Sequence, residues 1–274
     1  MTLPDAARVF VRILALVGLI LTGLITLLAL RMLERVVHRV TRPWTPHITR
    51  FVCRTGLRII GLRLTVEGTP MTARGAMVAN HSSWLDIFVL NAPTCITFVS
   101  KAEVAGWPGI GWLARATGTL FIERDRHKAR DHTALIQSRL LAGDRLLFFP
   151  EGTSTDGQRV LPFKTTLFAA FFAPELRGDI AVQPVSVIYR APEGADARFY
   201  GWWGDMALAP HLVSILAPRR GGSVRVVYHA PRPVSAFEDR KALARDAHDA
   251  VRAGFERHHA LAGTSLKDLG DAAE

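Results

Sequence analysis

A histidine and an aspartate, His81 and Asp86, stand in the polar cluster Asn80-His81-Ser82-Ser83-Trp84-Leu85-Asp86. The cluster follows the apolar run Ala76-Met77-Val78-Ala79 and leads into Ile87-Phe88-Val89-Leu90, so the pattern predicts a short strand ending where a helix begins. At such a junction the imidazole sits on a loop, while a carboxylate in the first helical turn can reach back and accept from one ring N–H. That pairing fixes the tautomer and leaves the other nitrogen as a base. Inside one continuous helix this spacing would turn the two side chains apart; the break before the helix is what permits contact. A simpler reading stands beside it. Ser83-x-x-Asp86 is also a capping box, in which Asp86 serves only the helix start.

Three further polar clusters lie at the ends of apolar runs. In Gly118-Thr119-Leu120-Phe121-Ile122-Glu123-Arg124, Arg124 falls just past a strand, where a guanidinium can hold an anionic head group through paired hydrogen bonds, or simply join a surface ion pair with its neighbours. Phe149-Pro150-Glu151-Gly152-Thr153 puts a carboxylate, a glycine that lets the backbone approach closely and a hydroxyl on one loop; it is also an ordinary turn. Gln183-Pro184-Val185 interrupts another apolar run, as a strand edge or bulge would.

The elements that must position these clusters alternate from Leu62 onward. Strands are expected over Leu62–Glu67, Met77–Ala79, Ile96–Val99, Thr119–Glu123, Leu146–Phe149, Val182–Tyr189 and Val224–His229. Helices are expected near Leu85–Asn91, Gly111–Ala116, Ala129–Leu141 and Phe163–Phe172, with a last one over Asp239–Ala262. Such alternation predicts an α/β fold, a mixed sheet flanked by helices, with the site at the strand ends.

The 274 residues carry a formal net charge of +10 and are 49% hydrophobic, a combination that points to an anionic membrane surface and away from nucleic acid. Ile13 to Leu30 holds no charge and is long enough as a helix to reach about 27 Å, near the hydrocarbon thickness of a bilayer. A signal peptide is the competing reading, but arginines 31, 35, 39 and 42 follow without a small-residue cleavage site. Arg8 and Arg12 precede the run, so the excess of positive charge after it places the bulk of the chain on the cytoplasmic side of the inner membrane. Over Pro46 to Ile60, Arg50, Arg54 and Arg58 form one stripe, which suits a helix in the interface plane or a soluble helix with a solvated basic face. The expected organisation is therefore an anchoring helix and basic flank at 1–42, an interfacial helix at 43–61, a catalytic domain at 62–262 and a polar tail at 263–274. The two cysteines, Cys53 and Cys95, form no metal-binding pattern.

Taken in order, the blocks NHSSWLD, GTLFIER, FPEGT and QPV, with SKAEVAGWPGIGWL and LPFK between them, resemble the glycerolipid acyltransferase family typified by lysophosphatidate acyltransferases. The resemblance covers about Val66 to Ser186 and implies that fold, with N-terminal membrane-associated helices. It implies acyl transfer from acyl carrier protein or coenzyme A to the hydroxyl of a lysolipid, without metal or other cofactor. His81 would be the general base and Asp86 its orienting partner. Arg124, Glu151, Gly152 and Thr153 map onto acceptor-binding positions, and Lys101 lies in a stretch beside the site. Where phosphate-specific members have an arginine after FPEGT this chain has Ser154, and where they show Phe-Lys-x-Gly it has Phe163-Lys164-Thr165-Thr166. Those departures, with the block YGWWGDMALAPHL, resemble the branch that acylates lyso-ornithine lipid; lysophosphatidate is the alternative acceptor. Gly-x-Ser-x-Gly, His-Glu-x-x-His and a P-loop are all absent, which argues against the corresponding serine hydrolase, zinc hydrolase and nucleotide-binding classes. A non-catalytic membrane adaptor would have no use for the His–Asp pair.

Overall fold

A computed structural model describes residues 2–39, 41–123 and 129–267. Two helices, α1 (Leu3–Val37) and α2 (Thr45–Ile60), lead into strands β1 (Arg63–Glu67) and β2 (Gly75–Ala79). Then follow α3 (Asp86–Asn91), β3 (Thr97–Lys101), α4 (Ile110–Thr117), β4 (Leu120–Ile122), α5 (Ala129–Leu141) and β5 (Arg145–Phe148). The chain continues through α6 (Pro174–Arg177), β6 (Ala181–Arg190), α7 (Leu208–Leu216), β7 (Ser223–Tyr228), β8 (Arg232–Pro233) and α8 (Arg240–Lys267). Among the described residues the strands make one eight-stranded sheet in the order β1-β7-β6-β2-β5-β3-β4, with β8 beside β6. β6 is antiparallel to β7 and β8, and the other pairings are parallel. The expected mixed α/β sheet is thus present.

Helices cover both faces, which explains why the central strands read as unbroken apolar runs rather than as alternating ones. Every residue of β2 is buried, as is β6 from Ala181 to Tyr189. On one face Met77, Leu147 and Val185 pack with Leu57 and Ile60 of α2, Val89 of α3 and Leu216 of α7. On the other, Ala76, Leu146 and Val182 pack with Leu140 of α5, Phe168 and Phe171, and Leu243 and Ala247 of α8. Because β2, β3, β4 and β5 run parallel, the loops that follow them leave the same end of the sheet.

Three differences from the sequence pattern have local causes. The expected helix over Phe163–Phe172 is only a 3-10 turn from Leu167 to Phe172; the chain before it has no regular structure, and its Lys164 N–H ties it to the Pro150 carbonyl at 2.9 Å. Helix α7 is absent from the sequence expectation: its nine residues are short and apolar, and Pro210 within them argues against a helix until it is seen to lie in the first turn. The last helix runs to Lys267, into the expected tail.

Among the described residues α1 alone is long and apolar enough to cross a membrane, and it extends well past the charge-free stretch at both ends. Both ends are fastened to the domain. Arg12 donates from one guanidinium nitrogen to the carbonyls of Leu216 and Pro218, each at 2.8 Å, and Arg8 donates to Ala217 O, so two arginines cap the C-terminus of α7. At the other end the fully buried Glu34 accepts from Trp44 N, Thr45 N and Thr45 Oγ1 at 2.7, 2.9 and 2.9 Å, closing the start of α2, and pairs with Arg31. Between these ends Gly23 brings α1 against Val52 of α2, where a methyl group would collide. The outward side carries Phe10, Leu14, Val17, Leu21, Ile25, Leu28 and Met32, all exposed, at the spacing of one helical face. Helix α2 turns Cys53, Leu57 and Ile60 inward; Arg54 and Arg58 stay exposed beside Phe51, while Arg50 Nε reaches the Ala92 carbonyl at 3.3 Å.

Glu34→Ala removes the acceptor for three α2 hydrogen bonds and leaves Arg31 without its carboxylate. We expect a loss of about 3 kcal/mol, seen as a fall of roughly 5–10 °C in the thermal midpoint of the detergent-solubilised protein, whereas Glu34→Gln retains part of the cap and loses less.

Candidate active site

The loop between β2 and α3 is held from three directions. Asn80 is buried and exchanges two hydrogen bonds with the backbone of Val187 on β6, donating to its carbonyl at 2.9 Å and accepting from its N–H at 2.8 Å. Ser82 and Ser83 turn their N–H groups back onto Asp86 Oδ2 at 2.9 and 3.1 Å. His81 then projects at the sheet's end, its ring stacked on Phe149 with centroids 4.0 Å apart.

His81 Nδ1 lies 2.7 Å from the same Oδ2 of Asp86. Asp86 is fully buried, and its second oxygen accepts from the hydroxyl of Tyr189 at 2.7 Å. Four donors therefore converge on one carboxylate, two from the loop, one from the imidazole and one from β6. With Nδ1–H donating to Asp86, Nε2 keeps its lone pair, and the 22% of the side chain left exposed allows access. The capping-box reading fails on its other half, since the Ser83 hydroxyl is buried without a hydrogen-bond partner among the described residues and Leu85 stands at the N-cap.

The loop after β5 closes against this pair. Glu151 is 2% exposed and spends both oxygens on backbone, accepting from His81 N at 3.1 Å and Leu161 N at 2.9 Å. Both carboxylate oxygens are thus committed to backbone on either side of the loop. Burial pushes its pKa up to about 8, helped by the nearby Asp86 charge and opposed by the two N–H groups. Gly152 takes φ +72°, and a side chain there would lie 2.8 Å from Lys164 Nζ. The left-handed backbone is what calls for glycine, since the ammonium ends a flexible side chain that can move aside. Thr153 is exposed, whereas Thr155 is buried and binds the His81 carbonyl through its N–H at 2.9 Å and its hydroxyl at 3.2 Å. Lys101 ends β3 in register with Ile122, at the same end of the sheet. Arg124 lies outside the described residues.

Sequence reasoning thus missed Tyr189, Thr155 and Lys164. The LPFK block placed Lys164 near the site without naming a role; Tyr189 and Thr155 gave no signal, because an alternating position of a buried strand and one more threonine in a polar loop carry no motif.

A carboxylate-oriented imidazole with an accessible second nitrogen, beside a glycine loop and an ammonium, can take a proton from a hydroxyl while an anionic group is held nearby. Residues 63–188 match the family model described as Acyltransferase. The chain is 54% identical to the lyso-ornithine lipid O-acyltransferase of Rhodobacter capsulatus over 93% of its own length and 92% of that protein's. The chain belongs to the acyltransferase family. This acyltransferase is also 41% identical to the lyso-ornithine lipid O-acyltransferase of Brucella abortus, over 77% of this chain and 82% of that one. Its fold matches the crystal structure of the 1-acyl-sn-glycerophosphate (LPA) acyltransferase from Thermotoga maritima with a TM-score of 0.59 at 20% identity, covering 91% of this chain and 98% of that one.

Two outcomes follow for this acyltransferase. Tyr189→Phe removes one of the four donors to Asp86 while keeping the ring, and we expect kcat to fall about tenfold with little change in KM, the mark of a group that positions the base without touching substrate. Glu151 has its folded pKa raised above the ordinary carboxyl value, so its stabilising contribution is full below about pH 4.5 and is lost as pH rises through about 8. Chemical denaturation across this range should show wild-type stability declining more steeply than that of Glu151→Gln.

Proposed function

We propose that this enzyme transfers a fatty acyl group from an acyl carrier protein or coenzyme A thioester to the free hydroxyl of lyso-ornithine lipid. The observation that carries the reading is the buried Asp86 carboxylate aligning His81 in a chain 54% identical to a protein of that name. His81 Nε2 removes the hydroxyl proton as the oxygen attacks the thioester carbonyl carbon. Asp86 stabilises the imidazolium. As the tetrahedral intermediate collapses the C–S bond breaks, and the departing thiolate takes the proton back from His81. The thioester is already activated, so proton removal and positioning supply most of what the protein must add, and no acyl-enzyme is required.

Lys164, over Gly152, is the described cation best placed for an anionic group of the acceptor, and Arg124 is assigned the same task from the family motif. Thr153 and Lys101 remain candidates at the mouth. Lysophosphatidate is the second acceptor, but Ser154 supplies no cation where phosphate-specific relatives of the motif have one. The exposed apolar side of α1, with Arg54 and Arg58 beside it, supports seating in an anionic membrane, which we place at the cytoplasmic face of the inner membrane. With both its ends tied to the domain, α1 fits a helix lying along the membrane better than a free-standing span.

His81→Ala should lower turnover by roughly 100-fold or more with folding and vesicle binding intact, and Asp86→Asn should lose activity while keeping the loop; near-normal activity in either removes the assigned role. In competition at fixed donor, lyso-ornithine lipid should outcompete lysophosphatidate, and Ser154→Arg should shift the preference towards the phosphate by about 1 kcal/mol. A wild-type preference for lysophosphatidate would overturn the acceptor while leaving acyl transfer in place.

A further inference from the structure

The block from Phe199 to Trp203 takes no part in the His81 chemistry, yet it is bound to the catalytic loop. Trp202 N donates to the Ser82 carbonyl at 2.8 Å, which places Trp202 one residue's width from His81. Its ring meets that of Trp107 with centroids 6.0 Å apart and planes at 83°, so two indoles form a corner. Trp107 follows the turn after β3, the strand that ends in Lys101, and is 40% exposed. The indole N–H of Trp202 is buried and has no hydrogen-bond partner among the described residues.

A corner of this kind has two properties that aliphatic walls lack. Indole faces carry the negative part of the ring quadrupole and attract an ammonium group, and an unpaired buried N–H favours an acceptor oxygen on the same ligand. Lining for an acyl chain would need neither. We propose that Trp107 and Trp202 form the subsite for the ammonium of the acceptor's head group, with the Trp202 N–H serving an oxygen of the same head group. This rests on the lyso-ornithine reading, whose head group offers an amine and a carboxylate, and it assigns the two charges to different places: the carboxylate to the cations near Gly152, the ammonium to the indole corner. The corner is then a specificity device that a phosphate acceptor without an amine would not use.

The test uses the full-length purified enzyme with three acceptors in mixed micelles: lyso-ornithine lipid, the same lipid with its amine acetylated, and lysophosphatidate. Wild type should favour the free amine over the acetylated form by about five- to tenfold in kcat/KM, the scale of a partly exposed cation–π contact. Trp107→Leu should lose most of that preference by raising KM for the free amine, with the acetylated acceptor and lysophosphatidate changed less than twofold. Trp202→Phe keeps a ring but no N–H, and should weaken all ornithine-type acceptors together. Equal wild-type rates on free and acetylated amine, or equal losses on all acceptors in Trp107→Leu, would overturn the subsite while leaving the lyso-ornithine assignment intact. Turnover of lysophosphatidate without turnover of lyso-ornithine lipid would overturn both. Parallel vesicle sedimentation assigns Trp107 to the membrane instead if Trp107→Leu loses binding and activity in step.

Discussion

Everything catalytic in this fold depends on one buried carboxylate. Asp86 has no contact with solvent, and a lone charge in that position would carry a desolvation penalty of several kcal/mol. It is tolerated because the structure supplies donors to it from separate elements: the N–H groups of Ser82 and Ser83, the Tyr189 hydroxyl and the His81 ring. The set fixes the histidine's orientation as a by-product of satisfying the aspartate. Donors and acceptor are mutually required, so the loop is held in the conformation that gives Asp86 its four donors, and in that conformation the His81 side chain stays partly exposed.

The sheet explains how motifs scattered over a hundred residues arrive at one point. β2 lies between β6 and β5, so the loop after β2 is flanked by the strand that carries Tyr189 and by the loop that carries Glu151 and Thr155. Asn80 ties it to one neighbour, Glu151 and Thr155 to the other. Glu151 ties the FPEGT block to the catalytic loop through its two backbone hydrogen bonds, and Gly152 supplies the left-handed turn that follows it.

What could be read in the sequence, and what could not, divides along the same line. The strand positions and the His81–Asp86 contact were legible because each depends on local pattern: apolar runs bounded by turns, and a strand-to-helix break that folds a short segment back on itself. Tyr189, Thr155 and the true setting of Glu151 were not, since their meaning comes from a cross-strand register or a loop crossing that no local window contains. The helix expected at Phe163 is likewise shortened by tertiary context: the segment before Leu167 is tied across to the Pro150 loop, and buried Phe168 and Phe171 pack from a 3-10 turn. Helix α1 was legible as an apolar helix, but not as one fastened at both ends, because Arg8, Arg12 and Glu34 look like flanking charge until their partners are in view.

Those three residues change what the flanking charges mean. Arg8 and Arg12 are committed to the last carbonyls of α7, so they act as a helix cap and contribute little to a free cationic flank of the kind that the positive-inside rule counts. The apolar side of α1 is thereby held in a set relation to the domain, and a chain of packed helices links it to the chemistry. α1 packs on α2 at Gly23, α2 packs on α3 through Gly56, where a side chain would lie 2.9 Å from Phe88 Cε1, and α3 begins at Asp86. Two glycines, each at a helix crossing too close for a side chain, thus set the distance between the apolar helix α1 and the catalytic pair. The chain of contacts from α1 through α2 to α3 is how a helix and a catalytic pair so far apart in sequence are held in one rigid relation.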